Sequence, residues 1–182
     1  REQSLKAAQH AQKLYAEAGG TLKVATVSTR GGTDASYPAL KTTAQQNPSD
    51  AVTRVDLGNM YFDAGRFPAA ADWYQQALKL QPNNVNVSTD LGIAYYYMND
   101  PDKALAQFDR SLTVDPKHAK TLLNTGIVRA FGKQDLKGAT EAWQKVVDLA
   151  PGSEEARAAK QALDSVRSAH PEVGGGKPQG TP

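Results

Sequence analysis

Residues Thr89 to Pro116 read TDLGIAYYYMNDPDKALAQFDRSLTVDP. Leu91-Gly92, Tyr95, Ala104, Phe108 and Pro116 in this stretch have counterparts 34 residues earlier: Leu57-Gly58, Tyr61, Ala70, Tyr74 and Pro82. Gly126 continues the count 34 residues after Gly92. The second half of that third copy slips by one, to Ala139, Trp143 and Pro151, which places a single inserted residue near GKQDLKG, at 132–138, where a turn belongs. Self-similarity at a fixed period marks a stacked-repeat architecture, in which each unit buries its apolar face only against its neighbours.

Each unit reads as two helices. Leu91, Ile93, Ala94 and Tyr95 give the first an apolar side, and Ala104, Leu105, Phe108 and Leu112 give the second at a helical period. DAGRF, MNDPD and GKQD predict hairpin turns near 64–67, 98–101 and 132–136. Pro68 and Pro101 stand where the second helix begins, where a missing N–H does no harm. Pro82, Pro116 and Pro151 stop it. The unit's glycine leaves room for close approach of the partner helix, its small alanine does the same from the other side, and the large aromatic fills the space between units.

The pattern resembles the tetratricopeptide repeat family, whose motif W-x2-L-G-x2-Y…A-x3-F…P is present as RVDLGNMYFDAGRFPAAADWYQQALKLQP and STDLGIAYYYMNDPDKALAQFDRSLTVDP. Both copies lack the tryptophan, with Arg54 and Ser88 in its place; in the third, Thr125 replaces the leucine and Arg129 the tyrosine. The resemblance implies an all-α fold, a right-handed α-solenoid over 37–169. Its parts are a degenerate half-repeat at 37–50, repeats at 51–84, 85–118 and 119–153, and a capping helix at 153–169. In the cap, Ser153 with Glu154 and Glu155 makes a good helix start, and Ala156, Ala159, Leu163 and Val166 form one thin apolar stripe. Residues 1–36 read as a helix ended by Gly19-Gly20 and then an extended arm or short strand, TLKVATVSTRGG. Residues 170–182 are rich in proline and glycine and read as a flexible tail.

Composition narrows the function. The 182 residues carry 21 Lys plus Arg against 19 Asp plus Glu, a net charge of +2, which gives no push towards nucleic acid or an anionic membrane surface. The absence of cysteine excludes disulfides, thiol catalysis and Cys-bound zinc in this chain. No window is long and apolar enough to span a bilayer. The chain starts at Arg1, which is consistent with a signal or anchor removed upstream.

No catalytic constellation, metal site or cofactor site is legible. His10, His118 and His170 lie far apart and outside any metal-ligand spacing. GIVRAFGKQ superficially suits a phosphate loop, but its spacing is one residue too long and no Ser or Thr follows Lys133. Gly174-Gly175-Gly176 precedes no helix, NVS at Asn86 falls in the first turn of a repeat helix, and DPD at 100–102 is a helix start. The expectation is a protein that is not an enzyme.

What the family resemblance implies instead is a groove formed by the first helices. Its lining is expected to be Val52, Val55, Asn59, Phe62 and Asp63 from repeat one, and Asn86, Thr89, Ile93, Tyr96 and Tyr97 from repeat two. Repeat three would add Lys120, Leu123, Ile127, Ala130 and Phe131. Chaperone-binding members grip a C-terminal carboxylate with a Lys/Asn/Arg set, of which only Asn59 and Lys120 are matched here. The face is apolar and aromatic, suited to interface anchors, with Lys120, Arg129 and Lys133 at one end to meet an acidic residue. The expected partner is a protein or peptide segment, with no nucleic acid and no membrane contact. The order of motif residues also resembles soluble repeat portions of bacterial envelope proteins such as those assisting cytochrome c maturation, implying a periplasmic or exported location. The alternative is a structural subunit of a homo-oligomer or filament, whose N-terminal arm docks into the groove of another copy.

Overall fold

The computed structural model describes residues 36–170, so the N-terminal helix, extended arm and tail read from the sequence lie outside the described residues. Eight α-helices follow one another: α1 Ser36–Gln46, α2 Ala51–Asp63, α3 Phe67–Leu80, α4 Val85–Tyr97, α5 Pro101–Val114, α6 Ala119–Ile127, α7 Leu136–Leu149 and α8 Glu154–Ala169. A π-helical turn, Val128–Gly132, continues α6. The described residues contain no strand. Helices pack mainly against their sequence neighbours, giving the hairpins α2–α3, α4–α5 and α6–α7, and α8 rests on both α6 and α7. This is an all-α helical solenoid.

The boundaries have local causes. Asp50, Asn84, Asp100, Asp135 and Ser153 each accept a hydrogen bond from the backbone N–H three residues on, satisfying a donor that the helix leaves without a partner. Pro101 opens α5, and Pro68 is the second residue of α3. Helices α3, α5 and α7 end two residues before Pro82, Pro116 and Pro151.

Packing turns on one contact per repeat. Tyr74, Phe108 and Trp143 lie directly against Gly58, Gly92 and Gly126, so that a Cβ on any of these glycines would collide with the edge of the ring. The three rings are 0%, 0% and 1% exposed. Their polar atoms are provided for: Tyr74 Oη donates to Asn59 Oδ1 at 2.9 Å, and Trp143 Nε1 donates to the Leu123 carbonyl at 3.2 Å. Ala70, Ala104 and Ala139 are wholly buried beside them. The result is three apolar clusters, one per hairpin.

Two expectations are corrected. The inserted residue of repeat three is not in the turn. At each corner one residue takes a left-handed conformation: Gly65 (φ 69°), Asn99 (φ 62°) and Gln134 (φ 56°). The next residue's N–H closes back onto the preceding helix, Arg66 to Tyr61 O at 2.8 Å, Asp100 to Tyr95 O at 3.0 Å, and Asp135 to Arg129 O at 2.8 Å. The third closure spans one residue more, and the helix before it is wound as the π turn. A corner fixed by a left-handed residue and a closing hydrogen bond has no slack, whereas a helix can widen by one residue over a single turn. The second correction concerns Tyr95, expected as a core residue. It is half-buried, and its hydroxyl accepts a hydrogen bond from Gln75 Nε2 at 3.0 Å.

Phe108→Ala should therefore cost about 3–5 kcal/mol, because a ring-sized cavity remains in a close-packed cluster. Tyr95→Ala should cost markedly less, about 1–2 kcal/mol, because part of its ring already meets solvent. Urea denaturation of both variants checks this, and equal losses would place Tyr95 back in the core.

Candidate functional site

The first helices α2, α4 and α6 present the expected face, and α4 and α6 touch directly. At the corner end the structure gathers a cluster of rings. Phe62 meets Phe67 edge-on with centroids 5.2 Å apart, and Tyr97 at 5.5 Å. Phe67 stacks on Tyr97 at 4.8 Å, and Tyr96 lies 6.0 Å from Tyr97. Burial, with Tyr97 adding to it, pushes the Tyr96 hydroxyl up to about 12, so it stays protonated at neutral pH. Phe62, Tyr96, Tyr97 and Phe131 are all half-buried, and each packs on one of the clusters.

The π turn decides which residue completes this row. Phe62, Tyr96 and Phe131 each stand three residues before the left-handed residue of their corner. Without the extra residue Ala130 would hold that place; instead Ala130 is buried and Phe131 takes it.

Four residues expected to line the face do not. Thr89, Ile93, Ile127 and Ala130 are 0%, 4%, 5% and 7% exposed. Thr89 Oγ1 lies 2.7 Å from Thr121 Oγ1, and two small side chains in hydrogen bond hold α4 close to α6. Ile93 and Ile127 belong to the clusters of the second and third repeats. Val55 and Leu123 are half-buried and pack on the first and third clusters, and Asn59 is engaged by Tyr74. Val52, Asp63 and Asn86 are exposed.

The cations expected at one end are not free. Lys120 Nζ is 2.6 Å from Asp90, Arg129 Nη1 is 2.8 Å from Asp135, and Lys133 Nζ is 2.7 Å from Asp102. The first pair is mostly shielded from water: burial pushes the Asp90 carboxyl up, and Lys120 pulls part of that back. Beside it, His118 lies 3.1 Å from Asn86 Oδ1 through Nε2 and 2.7 Å from Thr121 Oγ1 through Nδ1, and burial holds it below the usual histidine range. Among the described residues no group of three His, Asp or Glu is placed to hold a metal ion, and no helix is long and apolar enough to cross a membrane.

Phe67 and Asp90 escaped the sequence reading, and His118 is weighed there only as a metal ligand, not as a contact between repeats. A signal for two of them exists. The contacts Thr89–Thr121, Asn86–His118, Asp90–Lys120 and Asp102–Lys133 span 32, 32, 30 and 31 residues, which is one repeat less about a turn. Phe67 carries only the hint of an aromatic directly after a corner.

A family model described as TPR repeat matches residues 58–99, and one described as tetratricopeptide repeat matches 89–154. The heat-shock protein cognate (HSC) co-chaperone sgt12 of Aspergillus fumigatus is 31% identical over 110 residues, 60% of this chain and 32% of that protein. The chain thus spans about a third of that relative's length. The crystal structure of MamA protein superposes with a TM-score of 0.63 at 18% identity, covering 89% of this chain and 96% of that one. The first TPR of Spaghetti (RPAP3), bound to HSP90 peptide SRMEEVD, superposes with a TM-score of 0.57 at 23% identity, covering 65% and 92%. Both structures share the fold.

Lys120→Met should cost about 3–5 kcal/mol at about pH 7, because it strands the buried Asp90 charge. Burial already raises the folded-state pKa of Asp90, and losing the ammonium raises it further. The folded variant then binds more protons than its unfolded chain above the ordinary carboxylate range, so acidification favours the fold. The deficit relative to the unaltered chain should shrink as pH falls towards about 5. Urea melts of both chains across that range check it; a pH-independent deficit would mean the carboxyl is not stranded.

Proposed function

We propose that this chain, whose residues 58–154 are tetratricopeptide repeats, is a protein-interaction scaffold holding a polypeptide segment along Phe62, Tyr96, Tyr97 and Phe131. The observation that carries this is the half-buried aromatic row, contributed by each of three successive first helices. Rings of this kind offer large contact area and lose few rotors on binding. A face that runs across repeats suits an extended partner touching each in turn, whereas small molecules favour enclosed sites.

The Spaghetti domain holds an acidic C-terminal peptide. Here Lys120 is already neutralised by Asp90. The segment is therefore anchored by apolar or aromatic side chains, not by a terminal carboxylate. The resemblance of the motif order to bacterial envelope proteins supports a client of envelope assembly as the partner. The rival occupant is the residue 1–30 segment of a second copy.

Peptides selected from a random displayed library against the chain should be rich in aromatic and aliphatic residues. Tyr96→Ala combined with Phe131→Ala should weaken the best of them about tenfold or more with the helical circular dichroism unchanged. Unaltered affinity would remove the row from the binding site. Light-scattering masses of the chain with and without residues 1–30 should both be single-chain; a multimer lost on truncation would favour self-docking.

A further inference from the structure

On another side of the stack, between α3, α4 and α5, lies a cleft of about 490 Å3. Its origin is visible by comparing repeats. In repeat one, Arg54 reaches back to the carbonyls of Ala44, Asn47 and Asp50, at 3.1, 3.2 and 2.6 Å, and plugs the junction with the preceding helix. At the same place in repeat three, Leu122 is buried in the apolar cluster. Repeat two has Ser88 there, too small to fill the junction, and the cleft opens over it.

The lining is built, not a packing fault. Ser88 Oγ accepts from Gln107 Nε2 and from Ser111 Oγ, both at 2.7 Å, so the floor is a buried polar cluster in which both lone pairs of Ser88 are engaged. Leu91 and Tyr95 supply apolar wall. Lys79 and Arg110 also line the cleft, neither is within ion-pair distance of a carboxylate among the described residues, and no acidic residue lines it. The contrast with Lys120, Arg129 and Lys133, all paired, is direct.

We propose that this cleft is a second docking site, separate from the aromatic row, for a partner polypeptide that inserts one large apolar side chain over Ser88. Flanking carboxylates of that segment meet Lys79 and Arg110. Leu122 shows what an occupant of this junction looks like in the same molecule, and the unpaired cations set the charge of the segment. A polypeptide, not a free small anion, is the occupant because the site joins a side-chain-sized apolar wall to two separate cations.

The test uses the full chain, isotopically labelled for amide NMR, titrated with a short synthetic peptide that has one tryptophan between pairs of aspartates. Saturable shifts at Ser88, Gln107 and Arg110 are expected. Ser88→Leu, which supplies the residue of repeat three, should abolish them. Lys79→Glu with Arg110→Glu, at exposed positions that leave the fold intact, should weaken binding about tenfold or more, as should replacing the aspartates by asparagine. Tyr96→Ala with Phe131→Ala should leave it unchanged, which separates this site from the row. Shifts confined to the row, undiminished binding in both cleft variants, or equal binding of the uncharged peptide would overturn the proposal.

Discussion

An aromatic ring resting on a glycine holds each hairpin of this protein together, and most of the architecture follows from it. Tyr74 on Gly58, Phe108 on Gly92 and Trp143 on Gly126 let the two helices approach without a side chain between them, while the ring fills the space such an approach would otherwise leave empty. The contact needs the ring about as far along its helix as the glycine is along the other, so the corner between them must be short. It also needs small neighbours, and Ala70, Ala104 and Ala139 provide them with no exposed surface at all. A single methyl on the glycine would displace a ring that has nowhere to go.

The same constraint explains why an extra residue in repeat three ended up in a helix. The corner of every repeat uses a left-handed residue and a closing backbone bond. Lengthening it would separate Trp143 from Gly126. Winding Val128–Gly132 as a π turn takes up the residue upstream of the corner, leaving both the corner and the ring contact in place. The by-product is a change of identity on the open face, from alanine to Phe131.

Much of this was legible in the sequence because it is local and periodic. The glycines, rings and prolines recur at fixed intervals, and the caps Asp50, Asn84, Asp100, Asp135 and Ser153 precede their helices directly. The paired helices follow from those, and the family resemblance adds the solenoid. The face of the first helices was less legible. Position within a repeat says which way a side chain leaves its own helix, not how close the neighbouring helix stands. Thr89 and Thr121 are small and hydrogen-bonded, so α4 and α6 close over Thr89. The charges escaped for a related reason: Lys120 and Lys133 find their acids in the preceding repeat, beyond the reach of any helix-spacing rule.

Those cross-repeat pairs separate two kinds of surface on one small solenoid. Repeat three is tied to repeat two by Asp90–Lys120, Asn86–His118 and Asp102–Lys133, all polar. Lys120 cannot serve a ligand without first leaving the buried Asp90 carboxylate alone, which costs more than a surface ligand contact returns. The ammonium of Lys120 is thereby withdrawn from recognition on the first-helix face. The ring area of that face is indifferent to the sequence direction and terminal charge of whatever lies on it. On the proposed reading, selectivity along the row comes from the spacing of Phe62, Tyr96 and Phe131, which the π turn sets.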